Sequence, residues 1–455
     1  MKKKIKQSTK IRLGGTQPLS VLNTKVAGID VGASAHYVCV GLLSDESVRR
    51  FGTFTQDLEE LSDWLVSLGV ESVAMESTGI YWVNLYDTLE SRGLKVCLAN
   101  AKYVRTVPGR KSDVADSQWN QLGGTPQLHS YGLLSGSFIA EGKIRELRAY
   151  VRQRENLEKQ KGIQIALMGK ALQLLNIKLH QIASGTELQT SMNIIRAIVS
   201  GERNPKELAK FRHPQMKASE EDFEKGLQGN WRAEHLFSLQ QALTMYDFIK
   251  KQMLECEKEI ERTLGQINGG EGDESRTKNT RVKQNDYNFD AKSYLKEIAG
   301  VDLTKIRGLD EKTILTILSE TGTNLSKWKT AAHFTSWLGL SPKPKITGEK
   351  IVGHFKQSVA NRANQAFRMA GWALNNSKCY LGSFYRKLSF RKGSFVAIKA
   401  TARKVAVIFW NMMTKKTEFE VHLQEEYEIQ YKDRQLKNLE KMAKKMGLSL
   451  QKINT

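Results

Sequence analysis

Four carboxylates stand in short motifs that suit a divalent metal site. Asp30 ends the apolar run Val-Ala-Gly-Ile-Asp, and Glu76 ends a second run, Val-Ala-Met-Glu. Asp113 and Asp116 are three positions apart, so they share one face if their segment is helical. Two Mg²⁺ ions about 3.5–4 Å apart stabilise the attacking and leaving oxygens of a phosphodiester, and Mg²⁺ takes carboxylate and water ligands. The pattern predicts metal-dependent phosphodiester chemistry.

Each of these carboxylates also has a structural explanation. An Asp after a strand is often a turn residue or a helix N-cap, and Ser112 or Asp113 would serve as such a cap. The metal-site interpretation depends on the four acids together, on a sheet fold, in a strongly basic chain. Basic residues before the aspartate pair are candidates for positioning the scissile backbone: Lys102, Arg105, Arg110 and Lys111.

The net charge favours a polyanionic partner. The 455 residues include 70 Lys and Arg against 48 Asp and Glu, a formal charge of +22. The charge is concentrated in residues 341–416, where sixteen Lys and Arg accompany a single acid, Glu349, among aromatic residues. Phosphate neutralisation and base stacking require such side chains, although a solvated basic surface over an aromatic core is the alternative. Candidate nucleic-acid contacts are Lys343, Lys345, Lys356, Arg362, Arg386, Lys387 and Arg403.

The composition argues against several other classes of protein. The sequence contains no run of about 18 apolar residues to cross a bilayer, and no apolar segment follows the basic N-terminus as in a signal peptide. The four Cys are far apart, without Cys-x-x-Cys or Cys/His pairs, which argues against disulfides and structural zinc. We therefore expect a cytoplasmic protein with no membrane partner.

The periodicity of apolar residues predicts which elements hold the candidate acids. Helical spacing over 58–65 and a helix over 81–91 alternate with later strands, which favours a mixed sheet with covering helices over residues 25–140. The predicted strands cover residues 26–30, 36–40, 51–55, 72–76 and 96–99. The fold class is therefore α/β at the N-terminus.

The remaining segments are predicted to be mostly helical or polar. Long helices over about 141–183 and 232–267 predict an antiparallel coiled-coil arm. The complete division is a basic flexible arm at 1–24, the α/β domain at 25–140, a helical coiled-coil arm at 141–267, a polar linker at 268–292, a mostly α domain at 293–415, and a charged helix within 416–455.

The motifs resemble those of DEDD-type insertion-sequence transposases, which include bridge-RNA-guided recombinases and Piv-type DNA invertases. The resemblance extends from residue 25 to about residue 415. The matching segments are residues 28–30, Met-Glu-Ser-Thr-Gly at 75–79 with Tyr-Trp at 81–82, Gly-Arg-Lys-Ser-Asp-Val-Ala-Asp at 109–116 with Trp119, residues 129–134, and residues 195–205.

The resemblance implies an RNase H-like (RuvC-like) catalytic domain whose tetrad Asp30, Glu76, Asp113 and Asp116 binds Mg²⁺. It also implies a coiled-coil arm for oligomerisation and a C-terminal transposase domain with a serine nucleophile that bonds covalently to DNA. In such relatives the acidic site of one subunit works with the serine of another, and a structured guide RNA pairs with donor and target DNA. A bacterial homo-oligomer, dimer or tetramer, is therefore expected.

The chain departs from this family at the nucleophile. Thr347-Gly348 stands where relatives carry Ser-Gly. The added methyl group stiffens χ1 and crowds in-line attack, but a threonine is still a nucleophile when a neighbour takes its proton. Two alternatives are that Ser341 or Ser358 substitutes, or that the chain binds nucleic acid without transferring strands.

Two further segments bear on the predicted DNA contacts. Residues 306–320 look like the helix-hairpin-helix of that domain, whose helix N-terminus suits a phosphate; an ordinary helical hairpin is the alternative. Gly-Gly-Thr-Pro at 123–126 interrupts the segment after the aspartate pair and is expected to end its helix.

Three functions are compatible with these features. The first is an RNA-guided DNA transposase or recombinase that uses the tetrad and the hydroxyl of Thr347. The second is a metal-dependent, structure-specific nuclease in which Thr347 takes no part. The third is a catalytically impaired RNA/DNA-binding derivative of a transposase.

Overall fold

The computed structural model divides the chain into two compact units, Met1–Ile139 and Ala140–Thr455. The residues that it describes are 22–41, 48–76, 79–99, 129–132, 134, 136–140, 142–183, 185–270, 285–342, 344–347, 350–354, 361–417 and 424–449.

The first unit contains a mixed five-stranded sheet. Its order is β3-β2-β1-β4-β5, with β1 antiparallel to β2 and parallel to β4. The mixed sheet agrees with an RNase H-like start. The elements are β1 Val26–Val31, β2 His36–Val40, β3 Val48–Phe51, α1 Thr55–Ser67, β4 Ser72–Glu76, α2 Trp82–Ser91 and β5 Lys95–Ala99.

Alternating side chains of the central strands build the core of this unit. Ile29 on β1 and Met75 on β4 lie in one cluster with Leu61 of α1 and Leu85 of α2. These four side chains are at most 1% exposed. Because successive strand residues point to opposite faces, the positions next to Ile29 and Met75 point away from this cluster.

The third strand is displaced from its predicted position. We predicted residues 51–55, whereas β3 ends at Phe51 and α1 begins at Thr55. The Asp57 carboxylate accepts a hydrogen bond from the backbone N–H of Phe54 at 2.9 Å. This local cap starts the helix and removes residues 52–55 from the strand.

The second unit begins with two long helices and a group of short ones. The predicted helix over 141–183 ends early, because Asn176 adopts a left-handed φ of 60° after Leu174. The short helices enclose a core that includes Ile195, Phe223 and Leu239. The helices are α3 Gly142–Leu174, α4 Leu179–Ile182, α5 Gln189–Val199, α6 Pro205–Ala209, α7 Glu220–Gly226 and α8 Ala233–Ile267.

The long helices α3 and α8 pack antiparallel around a buried ion pair. Arg154 Nε donates to Glu257 Oε1 at 2.7 Å, and these side chains are 1% and 4% exposed. The Arg154 guanidinium also lies 4.2 Å from the ring centroid of Tyr287. Coiled-coil packing of the two helices stays a prediction.

The rest of the second unit is mostly helical, as predicted, but it includes an unpredicted hairpin of β6 and β7. The elements are α9 Ala291–Ala299, a 3₁₀ helix Leu303–Lys305, α10 Glu311–Thr321, α11 Ala331–Trp337, β6 Pro344–Thr347, β7 Lys350–His354, α12 Arg362–Ala373, a 3₁₀ helix Leu374–Asn376, α13 Tyr380–Lys392, α14 Ser394–Lys415 and α15 Gln424–Lys445.

Aromatic rings and one close helix contact form the core of this part. Phe367 lies 6.1 Å from Phe334 and 5.5 Å from Phe409 between ring centroids. A Cβ at Gly371 of α12 would lie 2.9 Å from the backbone N of Ala402, so glycine allows α12 and α14 to approach closely.

Three sequence expectations can be compared with this fold. The prediction of a polar linker over 268–292 is wrong at its C-terminal end, since Tyr287 and Phe289 are buried aromatic residues at 2% and 4% exposure. No disulfide joins the four Cys, all of which lie in described ranges. Among the helices of the described segments, none is long and apolar enough to cross a membrane.

Candidate active site

Asp30 and Glu76 lie side by side on neighbouring parallel strands. Parallel pairing of β1 and β4 places Ile29 opposite Met75, so the next residues, Asp30 and Glu76, are also opposite each other. Neighbouring strands are about 4.8 Å apart. Asp30 is exposed and Glu76 is half-buried, in contrast to the buried Ile29 and Met75. The two carboxylates therefore share the sheet face that lies away from α1 and α2, at the carboxyl ends of their strands.

Asp30 and Glu76 are two of the four acids of the predicted tetrad, which stays a prediction. Its oxygen donors are of the type that Mg²⁺ prefers. Asp113 and Asp116 lie outside the described residues. The described ranges contain no cluster of three or more His, Cys, Asp and Glu that could hold a metal ion. Also outside the described residues are Lys102, Arg105, Arg110, Lys111 and the interruption at 123–126.

A buried histidine lies next to this pair and was missed by the sequence analysis. His36 of β2 is opposite Val31, one position from Asp30, and is 2% exposed. Burial lowers the pKa of His36 because it disfavours the charged imidazolium, while the Asp30 carboxylate opposes this shift. Within the described part of the chain, its Nδ1 has no hydrogen-bond partner. A His in an apolar strand gives no sequence signal of such a position.

His129, in a segment that matches the family motifs, contacts the sheet. His129 Nε2 lies 2.7 Å from Ser72 Oγ, at the start of the strand that carries Glu76. Burial lowers the pKa of His129. The backbone N–H of Ser137 donates to the carbonyl of Leu98 on β5 at 2.6 Å. These bonds connect His129 to β4 and Ser137 to β5.

Thr347 is exposed at the end of β6. It pairs with Lys350 of β7 across the hairpin, and Lys345 on the same strand is also exposed. Its hydroxyl is therefore accessible to a substrate. Ser341 is half-buried, with its Oγ 3.1 Å from Thr335 Oγ1, and Ser358 lies outside the described residues. Of the two candidate hydroxyls that the structure describes, Thr347 and Ser341, Thr347 is the more exposed.

Two family models match the chain. A model for DEDD-type IS110 transposases, described as Transposase, matches residues 27–177, which include the strands of Asp30 and Glu76. A second, described as Transposase IS116/IS110/IS902 family, matches residues 302–386, which include Thr347. The chain is a DEDD-type IS110 transposase. No curated protein matches it significantly.

The family assignment identifies DNA as a partner of this transposase, and the structure distinguishes among its candidate contacts. Arg362, the first residue of α12, donates from Nη1 to Glu155 Oε2 of α3 at 2.5 Å. Its charge is therefore balanced within the protein. A contact between Arg362 and a DNA phosphate stays a prediction. It would require Arg362 to release Glu155, and breaking that ion pair costs free energy.

The remaining basic candidates differ in exposure. Arg386 donates from Nη1 to the carbonyls of Asn375 and Ser377 at 2.8 and 2.9 Å, which fixes the turn before α13. Lys387 and Arg403 are half-buried. Lys343 and Lys356 lie outside the described residues.

The N-terminus of α10 carries its own carboxylate. The Asp310 side chain accepts a hydrogen bond from the N–H of Thr313 at 2.8 Å, and Lys312 pairs with Glu158 of α3 at 2.5 Å. The phosphate contact expected at this helix N-terminus stays a prediction, and it would have to overcome the negative charge of Asp310, which already accepts a hydrogen bond from one of the amides.

The aromatic residues of the basic segment fall into two groups. Phe367 and Tyr385 are buried at 0% and 3% exposure, so the expectation that they interleave with basic residues on a stacking surface is wrong. Trp372, Phe390 and Phe395 are exposed at 56%, 94% and 70%. Sequence alone did not separate these groups, because both have the same residue types and similar neighbours.

Proposed function

We propose that this transposase cuts and rejoins DNA with a Mg²⁺-binding tetrad, Asp30, Glu76, Asp113 and Asp116, and with the hydroxyl of Thr347. The observation that carries the proposal is the position of Asp30 and Glu76 on paired parallel strands. Two carboxylates side by side at the carboxyl ends of neighbouring strands are suited to binding cations and a phosphodiester together. The exposed hydroxyl of Thr347 supports the second part.

The proposed reaction transfers a strand through a covalent protein–DNA bond. Bound Mg²⁺ would neutralise charge on the phosphate oxygens. Thr347 Oγ1 gives its proton to solvent and bonds to phosphorus, while the bond to the leaving deoxyribose oxygen breaks and that oxygen takes a proton from solvent. A hydroxyl of the joining strand then gives up its proton to solvent and attacks the same phosphorus. The bond from phosphorus to Thr347 Oγ1 breaks and Oγ1 is reprotonated, so the number of phosphodiester bonds is conserved.

Target choice is proposed to come from a structured guide RNA that pairs with donor and target DNA. The proposal rests on the family resemblance and on the high positive charge, which suits contacts to the backbones of both nucleic acids. A homo-oligomer, dimer or tetramer, would bring the acids of one subunit to Thr347 of another. Sequencing the RNA that purifies with the protein tests the first statement.

The test of the metal site is cleavage of element-end DNA in the presence of co-purified RNA and Mg²⁺. We expect Asp30→Asn and Glu76→Gln to reduce cleavage about a thousandfold, because each removes a charged ligand worth several kcal/mol in the transition state. Asp63→Asn is the matched control, since Asp63 is an exposed acid of α1 in the same unit. Full cleavage by Asp30→Asn would exclude the tetrad.

A further inference from the structure

Exposed aromatic rings flank the junction of α13 and α14, and another is exposed on the neighbouring helix α12. Phe390 precedes Gly393, which has a φ of 83°, and Phe395 follows it. Trp372 lies on α12, which packs against α14 at Gly371. We name Trp372, Phe390 and Phe395, with the basic residues Arg368 and Lys392, the aromatic corner.

Burying these rings in the protein would remove apolar surface from water, yet they remain exposed. Phe390 is 94% exposed and Phe395 is 70% exposed. Their neighbours Phe367 and Phe409 are at 0%, so an aromatic core is available nearby. Exposed aromatic clusters on a folded protein are typical of binding surfaces.

The chain segment that contains the aromatic corner is basic. Residues 350–417 contain no Asp or Glu. Arg391 and Lys392 lie between the two Phe residues, and both are exposed. The Arg368 guanidinium lies 5.5 Å from the ring centroid of Phe395. This contact joins the exposed side of α12 to the start of α14 and holds a cation beside the ring.

We propose that the aromatic corner binds an unpaired DNA strand, with Phe390 and Phe395 stacking on bases and Arg368 and Lys392 contacting phosphates. Bases have flat apolar faces and their backbone is anionic, so a single strand complements both features of the surface. In a duplex the base faces are stacked on one another, so the rings cannot reach them. The inference rests on the proposed function, because cutting and rejoining DNA exposes unpaired bases.

Other occupants fit the aromatic corner less well. An apolar protein surface would bury Arg391 and Lys392 without counter-charges, which is costly. An anionic membrane would complement the charge, but the family assignment supplies DNA as a partner. RNA bases stack on aromatic rings in the same way, so the experiment compares binding of DNA with binding of RNA.

The test is fluorescence anisotropy of the full-length protein with a labelled single-stranded DNA oligonucleotide, without Mg²⁺. We expect Phe390→Ala and Phe395→Ala each to weaken binding about tenfold, since base–aromatic stacking accounts for a factor of this size. Phe237→Ala is the matched control: Phe237 is 63% exposed on α8, outside the acid-free segment. It should leave the affinity unchanged.

Further variants and ligands identify the type of interaction and the kind of nucleic acid that binds. Phe390→Trp should keep the affinity, whereas Phe390→Leu, which is apolar but not flat, should lose it. Affinity for duplex DNA should change less than twofold in Phe390→Ala. Unchanged single-strand binding in both alanine variants would overturn the proposal, and so would a loss confined to RNA or to anionic vesicles.

This binding assay is independent of the proposed catalytic site. It needs no metal, no cleavage and no Thr347. If Phe390→Ala and Phe395→Ala both bind normally while Asp30→Asn loses cleavage, the aromatic corner is refuted and the tetrad stands. The reverse result would refute the tetrad alone.

Discussion

Thr347 differs from serine by a methyl group on the carbon that bears its hydroxyl. That methyl restricts χ1 and lies close to any phosphate that the hydroxyl attacks. Because Thr347 is exposed at the end of β6, serine would fit there without changing the packing of the hairpin. The methyl group is therefore expected to affect the chemical step more than the fold.

The rate of adduct formation should respond to this methyl group. We expect Thr347→Ser to speed covalent attachment to DNA about two- to tenfold, because serine lacks the methyl group that restricts χ1 and crowds the phosphate. Single-turnover kinetics with excess protein measure it directly. Thr335→Ser is a control at a buried threonine of α11. A slower Thr347→Ser would mean that the methyl group assists attack.

His129 should make the stability of the protein depend on pH. Burial lowers its pKa below the ordinary value of 6.5, so near that pH the unfolded chain binds more protons than the folded chain. Stability is therefore complete above pH 6.5 and is lost as pH falls through the folded pKa. Urea unfolding from pH 7.5 downward should show this decline, with a smaller slope in His129→Gln.

The control for that titration is His180, which is exposed on α4. His180→Gln should keep the wild-type dependence on pH. Equal slopes for wild type and His129→Gln would show that other groups determine the acid sensitivity.

Among the elements of the second unit, α3 forms ion pairs with three other helices, α8, α10 and α12. Arg154 of α3 pairs with Glu257 of α8. Arg152 of α3 donates two hydrogen bonds at 2.8 Å to Glu320 of α10. Glu155 of α3 reaches Arg362 of α12. Through these pairs one helix positions the elements on either side of the hairpin that carries Thr347.

The buried pair at the centre of α3 should dominate the stability of this unit. We expect Arg154→Met to cost about 3–5 kcal/mol, because it leaves the Glu257 carboxylate buried without its partner. The double variant Arg154→Met, Glu257→Met should recover part of the loss. The matched exposed pair is Arg196 with Asp247, at 45% and 42% exposure. Arg196→Met should cost at most about 1 kcal/mol in denaturant unfolding.

Local patterns predicted many elements, and contacts between distant residues explain the misses. The strand ending at Asp30 and the strand at 72–76 were found because each is a short apolar run, and Asp30 and Glu76 could be selected because each ends or follows such a run. The burial of Arg154 could not be predicted, since it depends on a carboxylate 103 positions away. The β6–β7 hairpin, with Pro344 and Gly353 in its strands, lacks an apolar run.

At the scale of the whole molecule, the net charge of +22 predicts strongly salt-dependent binding. For duplex DNA, the logarithm of the affinity should fall with the logarithm of salt concentration by about 0.9 for each phosphate contact. Lys345→Gln should lower this slope by about one contact, because Lys345 is exposed beside Thr347. Arg362→Gln should leave it unchanged, since Glu155 already balances that charge.

Anisotropy titrations at several salt concentrations measure these slopes. A lower slope in Arg362→Gln would show that the Glu155 pair opens when DNA binds. A nearly flat dependence for the wild-type protein would contradict a backbone-contacting basic surface altogether.

We propose that the carboxylates of Asp30 and Glu76 and the hydroxyl of Thr347 together transfer DNA strands. Incubating the protein with Mg²⁺, its RNA and element-end DNA, digesting the products and mapping the DNA-linked peptide by mass spectrometry tests this. We predict a nucleotide on Thr347 that is absent without Mg²⁺ and absent in Asp30→Asn. Cleaved DNA with no adduct, or an adduct on Ser341 or Ser358, would contradict it.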